Sequence, residues 1–123
     1  MANTDIALKE AMMIEGALGV ALVDVNSGMS LGILGGTADL DMAVAAAGNT
    51  DLVRAKLRTM EMLGLTGGIE DILTTLTSQY HVVRPLTAHS GAGLFLYLVL
   101  DRKRANLAMA RRQLQLVEAG LDL

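Results

Sequence analysis

The chain has no cysteine and no tryptophan, one proline (Pro85) and three aromatic side chains, Tyr80, Phe95 and Tyr97. Without thiols there is no disulfide framework and no thiolate-held metal. So few aromatics cannot build a platform on which bases or sugars stack. Basic charge is scarce in the first half: Lys9 is the sole Lys or Arg before Arg54, against Asp5, Glu10, Glu15, Asp24, Asp39, Asp41 and Asp51. That imbalance and the net charge of −3 argue against nucleic acid as a partner. No uninterrupted apolar run approaches the ~18 residues of a membrane helix, so no transmembrane segment is expected. Met1 leads into polar residues instead of a basic and then apolar leader, so a cytoplasmic location is expected.

What is present is aliphatic: 52% of the 123 residues are hydrophobic, and this excess must be buried in a core or an interface. The length predicts a single domain over residues 1–123. Its clearest element is the apolar run Leu94-Phe95-Leu96-Tyr97-Leu98-Val99-Leu100, long enough for a central strand covered on both faces. Asp101 then reads as the cap of a terminal helix from Arg102 to Leu121. In that segment Leu107, Ala110, Leu114, Val117 and Leu121 form a narrow seam suited to lying on a sheet. It also carries Arg102, Lys103, Arg104, Arg111 and Arg112, half of the 10 basic residues, and reads as a solvated face.

Upstream, Thr4 is placed to cap a first helix to about Met13, with Ile6, Leu8, Ala11 and Met12 as its apolar stripe. Gly19 to Val25 and Met29 to Leu34 read as strands joined by the turn Asn26-Ser27-Gly28. Gly35-Gly36-Thr37 breaks the second strand, and Thr37 or Asp39 is expected to cap a long helix ending near Leu63, before Gly64. Ile69 to Thr77 and Tyr80 to Leu86 complete the strands, with a hairpin loop over Thr87 to Gly93. Pro85, lacking an N–H, belongs near a strand end. The fold class predicted is α+β: an αββαβββα order, with a five-stranded antiparallel sheet and helices on both faces.

The long helix carries two apolar stripes at ~100° per residue. Met42, Ala46, Val53, Leu57 and Met60 form one; Val44, Leu52, Ala55 and Met62 form the other, with Asn49 and Lys56 between them. One sheet cannot cover so wide an arc, and a second copy of the same helix is the simplest supplier of the remainder. A homodimer is therefore expected.

The search for chemistry finds little. Two histidines, no cysteine and no Gly-x-Ser-x-Gly setting leave no nucleophile constellation. His81 reads as a packed or edge residue of a strand and His89 as a solvated loop residue, and no spacing supports a metal site. Gly32 to Thr37 lacks the Gly-Lys-Ser/Thr of a phosphate loop. The adjacent acids Glu70 and Asp71 point to opposite sides of a strand, which keeps them from acting as an acid and base pair. Neither an enzyme nor a bound cofactor is expected.

The order and spacing of these pieces resemble the roadblock family, the dynein light chain and bacterial gliding-regulator type of domain, over nearly the whole chain. The residues that carry the resemblance begin with Gly16-Ala17-Leu18-Gly19-Val20-Ala21-Leu22-Val23-Asp24 and Ser27-Gly28, followed by the long helix. Then come Ile72-Leu73-Thr74-Thr75-Leu76, Tyr80-His81-Val82-Val83-Arg84-Pro85-Leu86, and Phe95 to Leu100 with Asp101. The resemblance implies a dimer in which the third strand pairs with its counterpart while the second helices lie side by side. The interface would then include Val53, Leu57, Met60, Ile69, Ile72, Thr74 and Leu76. It implies a non-catalytic regulator or scaffold that binds a small Ras-like GTPase at its switch region and modulates hydrolysis. Such domains do not generally supply an arginine finger, so Arg54 and Arg58 are not assigned that role. The competing readings are a small-ligand sensory domain and a purely structural dimerisation module.

Overall fold

In the computed structural model, which describes residues 3–87 and 93–122, the elements follow the expected order. They are α1 (Thr4–Met12), β1 (Ala17–Asp24), β2 (Ser30–Gly35), α2 (Met42–Leu63), β3 (Ile72–Thr75), β4 (Gln79–Pro85), β5 (Leu94–Asp101) and α3 (Leu107–Gly120). The five strands form one sheet in the order β2-β1-β5-β4-β3, all neighbours antiparallel. The apolar run of β5 is the middle strand, buried from Phe95 to Leu100. Pro85 is the last residue of β4.

Strand alternation sends the sheet's side chains to two cores. Val20, Leu22, Val82, Leu96, Leu98 and Leu100 pack against α1 and α3 through Leu8, Ala11, Ala110, Leu114 and Val117. Ala21, Val23, Val83, Phe95, Tyr97 and Val99 pack against α2 through Met42, Ala46 and Val53. The α3 seam read from the sequence is the buried face of that helix. On α1 the buried stripe is Ala7, Leu8 and Ala11, and Ile6 is exposed, which corrects the expectation for that helix.

The helix starts differ from those expected, because in each case the residue immediately before the first turn supplies the capping oxygen. Asn3 caps α1 by accepting from Ile6 N–H (3.0 Å). Asp41 caps α2, its Oδ1 accepting from Ala43 and Val44 N–H at 3.0 and 3.2 Å. Thr37 instead bridges Leu40 before the helix begins. Asn106 caps α3, and Asp101 ends β5, so Arg102, Lys103 and Arg104 lie in the turn ahead of the helix. Gly64 ends α2 at φ 72°, the left-handed conformation that favours glycine at this position. Asp41→Ala is expected to lower stability by about 1 kcal/mol and leave the helix content unchanged, measured by thermal denaturation followed by circular dichroism.

The two edges of the sheet are unlike. In β2, Gly32 pairs with Leu22 and Ser30 with Val23, leaving Leu31 as an extra residue in a bulge. β3 pairs with β4 without irregularity from Ile72↔Val83 to Thr75↔Tyr80. It is shorter than predicted: Ile69, Glu70 and Asp71 precede it. Asp71 is drawn to α3, where its carboxylate accepts from Arg111 Nε and Nη2 at 2.7 and 3.1 Å.

Candidate functional site

The rotation of α2 about its axis is fixed by contacts on both flanks. On one flank Arg54 donates from Nε to Val25 O and from Nη2 to Asn26 O, in the turn between β1 and β2. Thr50, fully buried, sits below on the same side and donates to Ala46 O at 2.8 Å. On the other flank Asn49 is half-buried, its amide donating to Ala45 O at 2.8 Å and its side chain acting on the Tyr97 hydroxyl of β5. Helical spacing then turns Ala45, Gly48, Leu52, Lys56, Thr59 and Leu63 toward β4 and β3. Because α2 packs mainly on β1 and β2 and reaches β4 only at Val83 and its neighbours, most of the β4–β3 half of this sheet face has no helix over it among the described residues.

The uncovered half exposes a connected surface. Ile72, Gln79 and His81 are half-buried, and Thr74 is exposed. Beside them the flank of α2 carries Leu52, 38% exposed, with Gly48 and Ala55 as small exposed neighbours and Met62 and Leu63 near its end. A methyl group added to Gly48 would meet nothing within 4 Å, so another helix can approach closely at this point. The surface is bordered by the hydrogen-bonding edge of β3.

Of the seven predicted interface residues, Ile72 and Thr74 lie on this surface. By strand alternation Leu76 continues their face just past the end of β3. Val53 does not lie there. It is 0% exposed and belongs to the chain's own core against Ala21, Val23 and Phe95, so a partner cannot reach it. The interface assignment of Val53 is therefore corrected, and the available stripe is the second one, through Leu52, Ala55 and Met62. Leu57 (43% exposed) and Met60 lie toward the end of α2, and Ile69 is half-buried in the segment before β3. The 22-residue helix runs about 33 Å against about 26 Å for an eight-residue strand, so its last turns overrun the sheet.

Beneath this surface is a polar chain that sequence reasoning read only as a packed histidine. Tyr97 hydroxyl lies 2.9 Å from His81 Nδ1, and His81 Nε2 lies 2.9 Å from Gln79 Oε1. The rings of His81 and Tyr97 meet edge to face, with centroids 5.6 Å apart. Burial lowers the His81 pKa and raises that of Tyr97, the latter opposed by the hydrogen bond from Asn49. The available sequence signal was Asn49, a polar residue between two apolar stripes.

Elsewhere two ion pairs tie α3 to the sheet and the segment before β3. Arg84 and Glu118, with side chains 15% and 7% exposed, form an ion pair between β4 and α3. The second oxygen of Glu118 accepts from Thr87 N–H at 2.9 Å. A cleft of about 160 Å³ beside them is lined by Glu70, Asp71, Arg84, Arg111 and Arg112. Two of its three guanidinium groups are held by Glu118 and Asp71. Among the described residues no group of three His, Cys, Asp or Glu is placed to hold a metal, and no helix is long and apolar enough to cross a membrane. His89 and most of the predicted loop over Thr87 to Gly93 lie outside the described residues.

No family model matches the sequence, and no curated protein matches it. Solved structures do. The Roadblock/LC7 domain from Streptomyces avermitilis superposes with a TM-score of 0.78 at 15% identity, covering 96% of this chain and 93% of that one. The chain has the roadblock fold. MglB of Myxococcus xanthus aligns at 18% identity with a TM-score of 0.73, over 92% of this chain and 83% of that chain. An MglB described in a tetrameric arrangement gives 0.76 at 17% identity, over 91% and 79%. At these identities the shared property is the roadblock fold itself, with its αββαβββα order and antiparallel sheet.

Proposed function

We propose that the chain is a non-catalytic regulator that works as a homodimer and binds a small Ras-like GTPase, modulating its hydrolysis. The observation that carries the reading is the half-bare face of the sheet beside the regular edge of β3, flanked by the second apolar stripe of α2. A second copy related by a twofold axis fits both needs at once. Its β3 would pair antiparallel with this one, and its α2 would lie over Ile72, Thr74 and His81. The tetrameric arrangement described for an MglB, together with the roadblock fold, supports self-association.

The GTPase assignment rests on the family resemblance and on the chemistry the described residues offer. Four of their seven guanidinium groups are tied to the chain's own acceptors: Arg54 to the β1–β2 turn, Arg84 to Glu118, Arg102 to Leu76 O and Arg111 to Asp71. A regulator built this way acts chiefly by docking and reshaping its partner.

The test mixes the purified chain with Ras-like GTPases encoded in the same genome, loaded with GDP or with a non-hydrolysable GTP analogue. A complex by size-exclusion chromatography and a changed turnover rate are expected with at least one of them. No complex in either nucleotide state would overturn the GTPase reading, and a dimer without one would leave a structural dimerisation module.

A further inference from the structure

The polar chain Tyr97–His81–Gln79 lies in the half of the sheet that a second copy would cover, and its Gln79 end sets its direction. Gln79 Oε1, 2.9 Å from His81 Nε2, can only accept, so neutral His81 carries its hydrogen on Nε2. The bare Nδ1 then accepts from the hydroxyl of Tyr97, 2.9 Å away on a residue that is 0% exposed. A proton added at Nδ1 would set two donors against each other and oblige the enclosed Tyr97 hydrogen to find another acceptor. Asn49, half-buried on the flank of α2 that faces the uncovered sheet, donates its own amide hydrogen to Ala45 O at 2.8 Å.

We propose that His81 is a proton-sensitive element of self-association: the assembled form requires neutral His81, and protonation of its ring weakens the dimer. This rests on the dimer reading above. The other groups around the ring are few. Thr74 of β3 stands opposite it and brings no charge. Asp101, opposite Gln79 at the end of β5, is on the same face by strand alternation, and its Oδ1 accepts from Lys103 N–H at 3.1 Å. Lys56 shares the Asn49 stripe of α2 two turns on, and a cation there opposes a second positive charge. Burial already lowers the His81 pKa in the single chain, and a covering partner would remove more solvent and lower it further.

The sign follows from that order. The more buried state binds fewer protons, so association is favoured at pH above the free-chain value, which burial already holds below the ordinary histidine range, and weakens as pH falls through it. With two copies of His81 per dimer, the dissociation constant can rise by at most about a hundredfold per pH unit.

The experiment measures the dissociation constant by sedimentation velocity between pH 8 and 5.5 for the wild type, His81→Gln and His89→Gln. The expected result is a rise on acidification that persists in His89→Gln and is largely lost in His81→Gln. As a readout that does not need the His81 variant to fold, histidine ring titration by NMR compares the wild-type dimer with a Leu52→Glu monomer. The expected His81 pKa is lower in the dimer. A chain that is monomeric at pH 8 would overturn the dimer reading itself. A dimer whose dissociation constant is unchanged on acidification, or equally pH-dependent in His81→Gln, would overturn proton sensitivity alone, as would equal His81 pKa values in dimer and monomer.

Discussion

Leu52→Glu is expected to convert the proposed dimer into a folded monomer, with the mass halved in sedimentation and the melting temperature of the fold itself nearly unchanged. Leu52 is 38% exposed in the single chain and sits on the flank of α2 beside the uncovered sheet, so a carboxylate there is solvated in the monomer. In a dimer it would face its symmetry mate across an apolar contact, where two like charges are desolvated together. That combination is worth several kcal/mol against association, a loss of a thousandfold or more in affinity. One residue along, Val53→Glu is expected to behave in the opposite way. Val53 is fully enclosed by Ala21, Val23 and Phe95, so a charge there unfolds the chain regardless of its partner. If Leu52→Glu kept the dimer intact, the docking face would have been placed on the wrong side of α2.

That contrast also marks how much was legible in the sequence. The two stripes of α2 were visible, and so was an apolar arc wider than one sheet covers, because helical periodicity reports which residues share a side. Periodicity does not report which side the chain's own sheet takes. Val53 and Leu52 are adjacent, equally apolar and of similar size, and the rotation is set by tertiary contacts, the tie of Arg54 to the β1–β2 turn and the packing of Met42 and Ala46 on the sheet. Strand identity was legible where alternation or an apolar run was strong, as in β5. It was overextended in β3, because Ile69, Glu70 and Asp71 have strand-like neighbours in sequence while Arg111 pulls Asp71 toward α3. Caps were displaced for a similar reason: Thr4, Thr37 and Asp101 are good capping residues, yet Asn3, Asp41 and Asn106 are better placed. The roadblock layout was legible as an order of elements, and the polar chain through His81 was not, since its members come from three elements.

Glu118→Ala is the second change expected to have a large effect, and it acts on the fold instead of the assembly. The carboxylate is nearly buried between α3 and β4, binding Arg84 with one oxygen and Thr87 N–H with the other. Among the described residues its removal leaves a largely enclosed guanidinium with only Glu70 O as a partner and a backbone donor with none. Breaking one side of such a pair typically destabilises by ~3–5 kcal/mol. Chemical denaturation should show the loss as a lower midpoint with an unchanged slope. Asp71→Asn provides the comparison. Arg111 in that pair is 45% exposed, and a pair so open to water is worth about 0–1 kcal/mol. Equal losses in the two variants would mean that the Glu118 pair is as solvated as the Asp71 pair and that α3 is held by its apolar seam alone.

The extra residue at Leu31 gives the assembly a size limit. If two copies join through β3, the combined sheet has ten strands and ends at each side in a β2. There the bulge interrupts the regular spacing of free N–H and C=O groups that an incoming strand would need. Both free ends of the joined sheet are therefore poor templates, and strand addition stops after one event. A fold with a clean β2 would present an attractive edge on each outer side and grow into a fibre. Joined in the proposed way, this one would close as a pair and leave the outer rims and the α1–α3 face free for other contacts.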